Sequence, residues 1–436
     1  MIEHILLITV AVLISQFRVM TYGYVSDDIP VYQNPPKTKN RWHRGYLWLI
    51  GAYRWKPKYD HVLTMIIHIL VCWVMYFAFG ANQTAFYATL LFSIHPGNLH
   101  GSVWISGRAY PLVAVFVLGA MVIPLASPIF LWASAYFTVG FLPPLALIGS
   151  PSWYAVLIMP LVWLYWRKKF KKAVINKAST ERATEDKVIH PRKIILCIKT
   201  IGFYLSLAIF PHKICFYHNF LQSCAGSQRR KAYTYCIYYW IGLISILAWI
   251  VYSAYRWDMI SYGMLWFFVT IFPYSNIYRV QQEISERYLY IPLIGVMVAM
   301  AHALAPYPWA FLVLLGFYYG RFHSTVLAFR DDFWVVEQSV MDDPFAWFGW
   351  HMRALKRWNA HSYHEAMVFW TMARNESPRE FKLLFNLAVV FKAINKHQES
   401  KQFLEEAEKN IVPGQEKQVE GLIRAFKDGK PVGMIY

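Results

Sequence analysis

The sequence predicts an all-α membrane protein: a polytopic helical bundle of about eleven spans, followed by a short C-terminal domain of paired helices. Three observations carry that expectation. Of the 436 residues, 57% are hydrophobic and only 16% charged, against the roughly 25% charge of average soluble proteins. Apolar runs of about 15 to 20 residues recur through the first three quarters of the chain, the length a helix needs to cross about 30 Å of hydrocarbon. From about residue 323 those runs stop, charges of both signs mix, and helical periodicity appears. Aromatic residues reach 18%, with 19 Trp and 30 Tyr, the types enriched where a membrane meets water. The net charge of +18 would suit a nucleic-acid binder, but not together with so much apolar sequence. Composition therefore excludes a soluble enzyme, a disordered chain and a disulfide scaffold, and no nucleic-acid partner is expected.

Taken in order, the expected spans are 4–20, 60–80, 84–96, 109–125, 128–147, 152–166, 194–210, 234–253, 258–273, 290–306 and 308–322. No A-x-A-like cleavage site follows the first run, so it reads as a retained span. The third run is short and reads as a partial or tilted span. Orientation follows from Lys and Arg in short loops, which favour the cytoplasmic side. Residues 167–193 hold ten of them, Arg167, Lys168, Lys169, Lys171, Lys172, Lys177, Arg182, Lys187, Arg192 and Lys193, against three acids. That loop is expected in the cytoplasm, as is the N-terminus, with loop 21–59 and the C-terminal segment outside, in a bacterial inner membrane or a membrane of the endoplasmic-reticulum type. Loop 21–59 is itself basic, through Lys37, Lys39, Arg41, Arg44, Arg54, Lys56 and Lys58. A function on the outer face, such as binding anionic headgroups or a lipid phosphate, would explain that exception.

The boundary between domains is placed at 325/326, so 1–325 forms the membrane part and 326–436 the C-terminal part. Pro344 and Pro378 are 34 residues apart, as are Ser339, Ala373 and Ala407, then Trp350 and Leu384, and Ala366 and Ser400. A period of 34 with small residues at helix contacts and Pro at the closing turn is the tetratricopeptide-repeat pattern. The repeats would run 347–380 and 381–414, with Ala354 at the Gly position of the first. Two repeats and a half are few for an independent fold, so this domain is expected to lean on the membrane part. The plainer alternative is an ordinary helical-hairpin tail.

Four stretches carry groups fit for chemistry, and the span count gathers all four on the outer face. Loop 21–59 opens with Asp27-Asp28 before Pro30 and Asn34. Adjacent acids close to a membrane are costly unless solvated or paired. One of them suits a general base toward an acceptor hydroxyl, or both a divalent cation; the plainer reading is a solvated turn. Next, His95-Pro96 ends the third span, and His100 and Gly107-Arg108 lead into the fourth. An Arg at a helix N-terminus suits an anion, since the guanidinium fork and free backbone N–H groups act together, although interfacial Arg also snorkels to headgroups. Third come Phe272-Pro273 with Asn276, then Glu286-Arg287-Tyr288. Fourth are Phe210-Pro211-His212-Lys213. Convergent polar groups in an apolar cleft are the default site hypothesis.

The order of these elements resembles the transmembrane and tetratricopeptide-repeat O-mannosyltransferases, integral membrane glycosyltransferases of the GT-C fold. Asp27-Asp28-Ile29-Pro30 with Asn34 resembles that family's acidic loop. Tyr59-Asp60-His61, with Thr64 in place of the usual Asn and His68 after it, is similar to the start of its second span. His95-Pro96 through Ser106-Gly107-Arg108-Ala109 keeps the register of its His-Pro to Gly-Arg-Ala segment. Phe210-Pro211, Phe272-Pro273, Ser275-Asn276, Glu286 through Pro292, and finally Arg330 and Trp334 complete the likeness, which spans nearly the whole chain. His100 stands where the family has Glu and Tyr110 where it has Asp, so two acids of that pattern are missing.

The resemblance implies transfer of one hexose, such as mannose, from a polyprenyl or dolichyl phosphate to a Ser or Thr hydroxyl of a protein, with inversion. Asp27 or Asp28 would be the base. Arg108, Arg287, His95 and Lys213 would meet the donor phosphate, and His100, Glu286, Tyr288, Asn276 and His61 would line the sugar or acceptor pocket. The partners would be the lipid-linked sugar, membrane lipids and a protein acceptor held by the repeats. No cofactor is implied, and beyond the adjacent acids no ligand motif supports a divalent cation. Competing readings are a transferase acting on a surface glycan or lipid, and a non-catalytic scaffold or transporter. The five cysteines show no metal spacing. Cys215 and Cys224 share one outer loop, where they either pair or remain buried thiols.

Overall fold

A computed structural model describes residues 1–25, 28–35, 41–135, 147–148, 150, 152–158, 191–212, 214, 236–277, 284–342, 344, 347–411, 416–430 and 432–435. Among the described residues the chain is helical and contains no strand. The first helices are α1 (Ile2–Gln16), α2 (Asp28–Gln33), α3 (Arg41–Leu49), α4 (Pro57–Ala78), α5 (Gln83–Ser93), α6 (Leu99–Ser102), α7 (Ala109–Val122) and α8 (Ser127–Ala135). They are followed by α9 (Pro191–Ile209), α10 (Ile237–Tyr255), α11 (Met259–Ile271), α12 (Tyr290–Leu304) and α13 (Pro308–Val326).

Five helical stretches are long and apolar enough to cross a membrane: Ile2–Thr21, Pro57–Ala78, Ile105–Val122, Ile237–Tyr255 and Glu286–Leu304. Eleven is not reached among the described residues. The run expected at 84–96 is α5, which at about 1.5 Å per residue is too short to cross. The expected spans 128–147 and 152–166 lie largely outside the described residues, as does loop 167–193. Helices α9 and α13 have the length, with Arg192, Lys193 and Lys199 on the first and Arg321 on the second. Local signals set the ends. Pro57 and Pro308 open α4 and α13, where a missing N–H costs nothing. The Asn82 side chain caps α5 by accepting from Ala85 N, and Asp258 caps α11 by accepting from Ile260 and Ser261 N.

In the bundle, α11 runs along α12, α9 along α10, and α4 packs on α1, α5 and α7. Both α9–α10 and α11–α12 meet backbone to backbone at glycines, Gly202 and Gly242 in the first pair and Gly263 and Gly295 in the second. A Cβ on Gly295 would stand 2.2 Å from the Gly263 carbonyl oxygen, and one on Gly263 would stand 2.5 Å from that of Gly295. Small residues that let backbones meet are how helices associate in lipid, where apolar side chains gain little by leaving their surroundings. Helix α10 makes the same point from outside. Only Gly242 among its residues is buried, while Ile237, Ile244, Ile250 and Val251 are exposed. Such a surface suits hydrocarbon and not water.

The C-terminal helices are α14 (Asp332–Asp342), α15 (Trp347–Asn359), α16 (Tyr363–Glu376), α17 (Phe381–Ala393), α18 (His397–Lys409) and α19 (Glu416–Lys427). Helices α15 and α17 start 34 residues apart, as do α16 and α18. Helix α15 packs on α16 and α17 on α18, and α16 also packs on α17. Ala354, Ala366, Ala373, Ala388 and Ala407 are fully buried at these contacts. A separate apolar cluster joins the two parts: Val19, Tyr22 and Val25 meet Leu99, Val103, Phe322, Phe329 and Val335. Gly23 N donates to the Arg330 carbonyl at 3.1 Å across the same junction.

Two predictions follow from this packing. Gly295→Ala must push α12 off α11, at a cost of about 1–3 kcal/mol for overpacking, and the thermal midpoint of the purified protein should fall. An unchanged midpoint would contradict the close approach. Between α15 and α16, Trp370 Nε1–H donates to His351 Nδ1 at 3.1 Å. Burial first, and then the nearby Lys382, push the His351 imidazole down to about 3. Its folded value lies below the ordinary value near 6.5, so its stabilising contribution is complete above about pH 6.5 and is lost as pH falls toward 3. Thermal melts from pH 7.5 to 4 should show the C-terminal helices weakening in acid. The slope should flatten in His351→Gln, which still accepts from Trp370; equal slopes in both proteins would contradict the assignment.

Candidate functional site

Asp60 stands in the first turn of α4, wholly buried. A carboxylate there is favoured by the helix N-terminus, but without partners it would be strongly disfavoured in an apolar surround. Its partners come from the preceding loop. Trp48 Nε1–H donates to Oδ1, Tyr24 OH donates to Oδ2 at 2.6 Å, and Trp55 N donates to Oδ2 at 3.0 Å. Burial, and then this hydrogen bond, push the Tyr24 phenol well up, so it stays a donor. Arg108 closes the arrangement, with Nη2 3.8 Å from Asp60 Oδ1. The same guanidinium donates from Nε to Thr64 Oγ1 at 2.9 Å, from Nη1 to the Trp48 carbonyl at 2.5 Å, and from Nη2 to the Asp60 carbonyl at 2.7 Å. Arg108 is fully buried. It fastens the first loop to α4 instead of presenting a free fork.

Asp28 opens α2 and is also fully buried. Its Oδ1 accepts from Arg54 Nη2 at 2.6 Å, from Ser106 Oγ at 2.6 Å and from Ser106 N at 3.0 Å. Arg54 also donates to Ser106 Oγ at 2.6 Å and to the Gly51 carbonyl. Asp28 Oδ2 has no hydrogen-bond partner among the described residues. One carboxylate oxygen is thus oriented by three donors while the other is left unmade. Gly107 follows Ser106 because a Cβ there would overlap the His100 carbonyl oxygen, at 1.7 Å.

The remaining stretches meet at the same end of the bundle. His95 is buried and satisfied: Nε2–H donates to the Ala208 carbonyl at 3.1 Å, Nδ1 accepts from Gly97 N at 3.0 Å, and the ring meets Tyr318 edge-on. His100 lies 3.7 Å from Glu286, both buried. Arg287 is half-buried, its guanidinium over the rings of Trp104 at 5.6 Å and Tyr288 at 5.2 Å. Tyr288 stacks on Tyr274 at 4.3 Å. His61 bonds the Gly23 carbonyl through Nε2 at 3.1 Å. Asn276 adopts φ +63° and donates to Thr200 Oγ1 at 3.1 Å, on α9.

The structure therefore brings Asp28, His61, His95, His100, Arg108, Glu286, Arg287 and Tyr288 into linked elements, and ties Asn276 to α9. Asp27, Lys213, Cys215 and Cys224 lie outside the described residues. Among the described residues no cluster of three or more His, Cys, Asp or Glu is placed to hold a metal ion. Sequence reasoning missed Tyr24, Trp48, Arg54, Asp60 and Ser106 as members of the site. Asp60 had a signal, an acid opening an apolar span; Arg54 was counted only as loop charge.

Breaking a buried ion pair by removing one partner costs about 3–5 kcal/mol. Arg54→Ala is expected to lower the thermal midpoint and to expose loop 41–55 to protease, whereas Lys58→Ala, at an exposed site, is expected to change neither. Equal protection in both variants would contradict the pairing. Compared with protein-family models, curated proteins and solved structures, the chain finds no match in any of the three.

Proposed function

We propose that this protein is a membrane glycosyltransferase that moves a single hexose from a polyprenyl or dolichyl phosphate to a hydroxyl acceptor. In this reading it is related to the O-mannosyltransferases that its motifs resemble. The observation that carries the reading is the Asp28 carboxylate, with Oδ1 held by Arg54 and Ser106 and Oδ2 buried without a partner among the described residues. A buried acceptor left unmade costs about 1–3 kcal/mol, and an incoming hydroxyl relieves that cost. Asp28 Oδ2 then takes the hydroxyl proton as the acceptor oxygen bonds the anomeric carbon. The bond from that carbon to the phosphate oxygen breaks, the lipid phosphate leaves with the electron pair, and the sugar inverts.

Stabilising that leaving phosphate in a dry cleft is worth several kcal/mol when the cation is already in position. Arg287, half-buried and flanked by aromatic faces, is the residue assigned to it. Arg108 is assigned a positioning role, because its N–H groups are directed at Thr64, Trp48 and Asp60. His95, satisfied on both nitrogens, supports the turn. The lipid donor enters sideways from the bilayer, and the site faces outward, with the N-terminus in the cytoplasm. The C-terminal helix pairs, read as tetratricopeptide repeats on their 34-residue offset, hold a protein acceptor beside it.

The test uses purified protein, a polyprenyl-phosphate hexose and a Ser/Thr-rich peptide, with product read by mass spectrometry. Asp28→Asn keeps an acceptor oxygen for Arg54 and Ser106 but loses the basic site, and kcat should fall by about 10²–10⁴ with the fold retained. Wild-type turnover in Asp28→Asn, Asp27→Asn and the double variant would overturn the assignment of the base, and absence of transfer by the wild-type protein would overturn the enzyme reading in favour of a scaffold or transporter. Mass spectrometry of secreted proteins and surface glycans, with and without the gene, reads the acceptor class.

A further inference from the structure

Beyond the last bundle helix, an apolar surface continues where a soluble domain should begin. On α13 the exposed residues Trp309, Leu312 and Tyr319 recur at helical spacing, half-buried His323 continues the line, and Leu327 extends the stripe. Asp331 then turns the chain: its Oδ1 accepts from Phe333 N at 3.0 Å and Trp334 N at 3.1 Å, capping α14. The inner face of α14, Val335, Val336, Ser339 and Val340, is buried, with Val335 in the junction cluster. Its outer face carries Phe333, Trp334 and Met341, exposed by 44%, 40% and 75%. These positions, separated by seven and eight residues, lie on one side of a helix.

Cations sit at the same level. Arg330 lies 5.2 Å over the Trp334 ring, and Lys356 lies 5.3 Å over the Phe333 ring. Arg18, exposed at the end of the first span, is 3.4 Å from His323, and its neighbour Phe17 is 65% exposed. Exposed Trp and Phe backed by Arg and Lys, continuous with an apolar stripe on a bundle helix, match the boundary between acyl chains and headgroups. In water such a surface would be a liability.

We infer that α14 is an interfacial helix whose Phe333, Trp334 and Met341 face lies in the headgroup boundary of the bilayer, so that the C-terminal helices rest on the membrane. The inference uses only the membrane reading of the bundle and is independent of the transferase reading. Its occupant is the lipid surface: the exposed stripe on α13 leads through Leu327 into the exposed face of α14, and beside it stand Arg18, exposed, and Arg330, exposed and paired with Asp331 at 3.2 Å.

The test is spin-label accessibility on the full chain in phosphatidylglycerol/phosphatidylcholine nanodiscs, in a background lacking native cysteines. Labels go at Trp334→Cys and Met341→Cys, with Ile250→Cys on α10 as the lipid control and Val368→Cys on α16 as the water control. Oxygen should exceed the polar nickel reagent in relaxing the α14 labels, as at 250, and the reverse should hold at 368. Free access of the nickel reagent at 334 and 341, equal to that at 368, would place the face in water and overturn the inference. Protection from both reagents would mean a protein partner, a second copy included, and would overturn it equally. Water-like behaviour at 250 would reject the membrane reading and the inference together.

Discussion

Everything at the functional end of this molecule depends on one constraint: a carboxylate withdrawn from water must be met by donors. Asp60 is buried at the mouth of α4, and three donors from the preceding loop plus one guanidinium from the start of the neighbouring α7 converge on it. Because those donors come from residues 24, 48, 55 and 108, satisfying one charge ties separate parts of the first loop to α4 and to the start of α7. Asp28 repeats the device with Arg54 and Ser106. Two acids and two arginines thus fold a segment that has almost no apolar core of its own. Pairs of this kind are weak evidence for net stability; they specify one arrangement among many.

That arrangement also has a direction. Asp60 uses both oxygens, while Asp28 uses one. In the proposed reading the fully satisfied carboxylate is architecture, and the half-satisfied one is where a reacting hydroxyl has something to gain. The cations divide in the same way: Arg108 is wholly enclosed, whereas Arg287 is half-buried between aromatic faces. In the proposed reading, chemistry and scaffolding therefore use the same residue types, distinguished by burial and by the groups around them.

Much of this was legible in the sequence. Apolar runs located α1, α4, α7, α10 and α12, because a hydrocarbon span needs length and little else. The 34-residue offset of Ala373 and Ala407 anticipated the spacing of the C-terminal helices, since small residues must recur where helices touch. The acidic, His-Pro and Glu-Arg-Tyr stretches were expected on one face, and the structure connects them through Asp28 to Ser106, His95 to Ala208 and His100 to Glu286. What the sequence did not reveal is partnership. Arg108 looked like an anion fork because an Arg before a helix often is one; its enclosure depends on Trp48 and Thr64, which no local pattern links to it. Arg54 was one basic residue among seven in its loop, and nothing in the spacing joined it to Asp28. The run at 84–96 was apolar enough, but His95-Pro96 and the turns after it stop the helix short.

The most direct test of the central claim is a cryo-electron-microscopy structure of the full chain in nanodiscs with a polyprenyl phosphate bound. The account predicts phosphate density against Arg287 and an open path from the neighbouring cleft to Asp28 Oδ2, with Asp60 and Arg108 still joined. A lipid phosphate bound elsewhere, with Asp28 still covered and remote from it, would contradict the account.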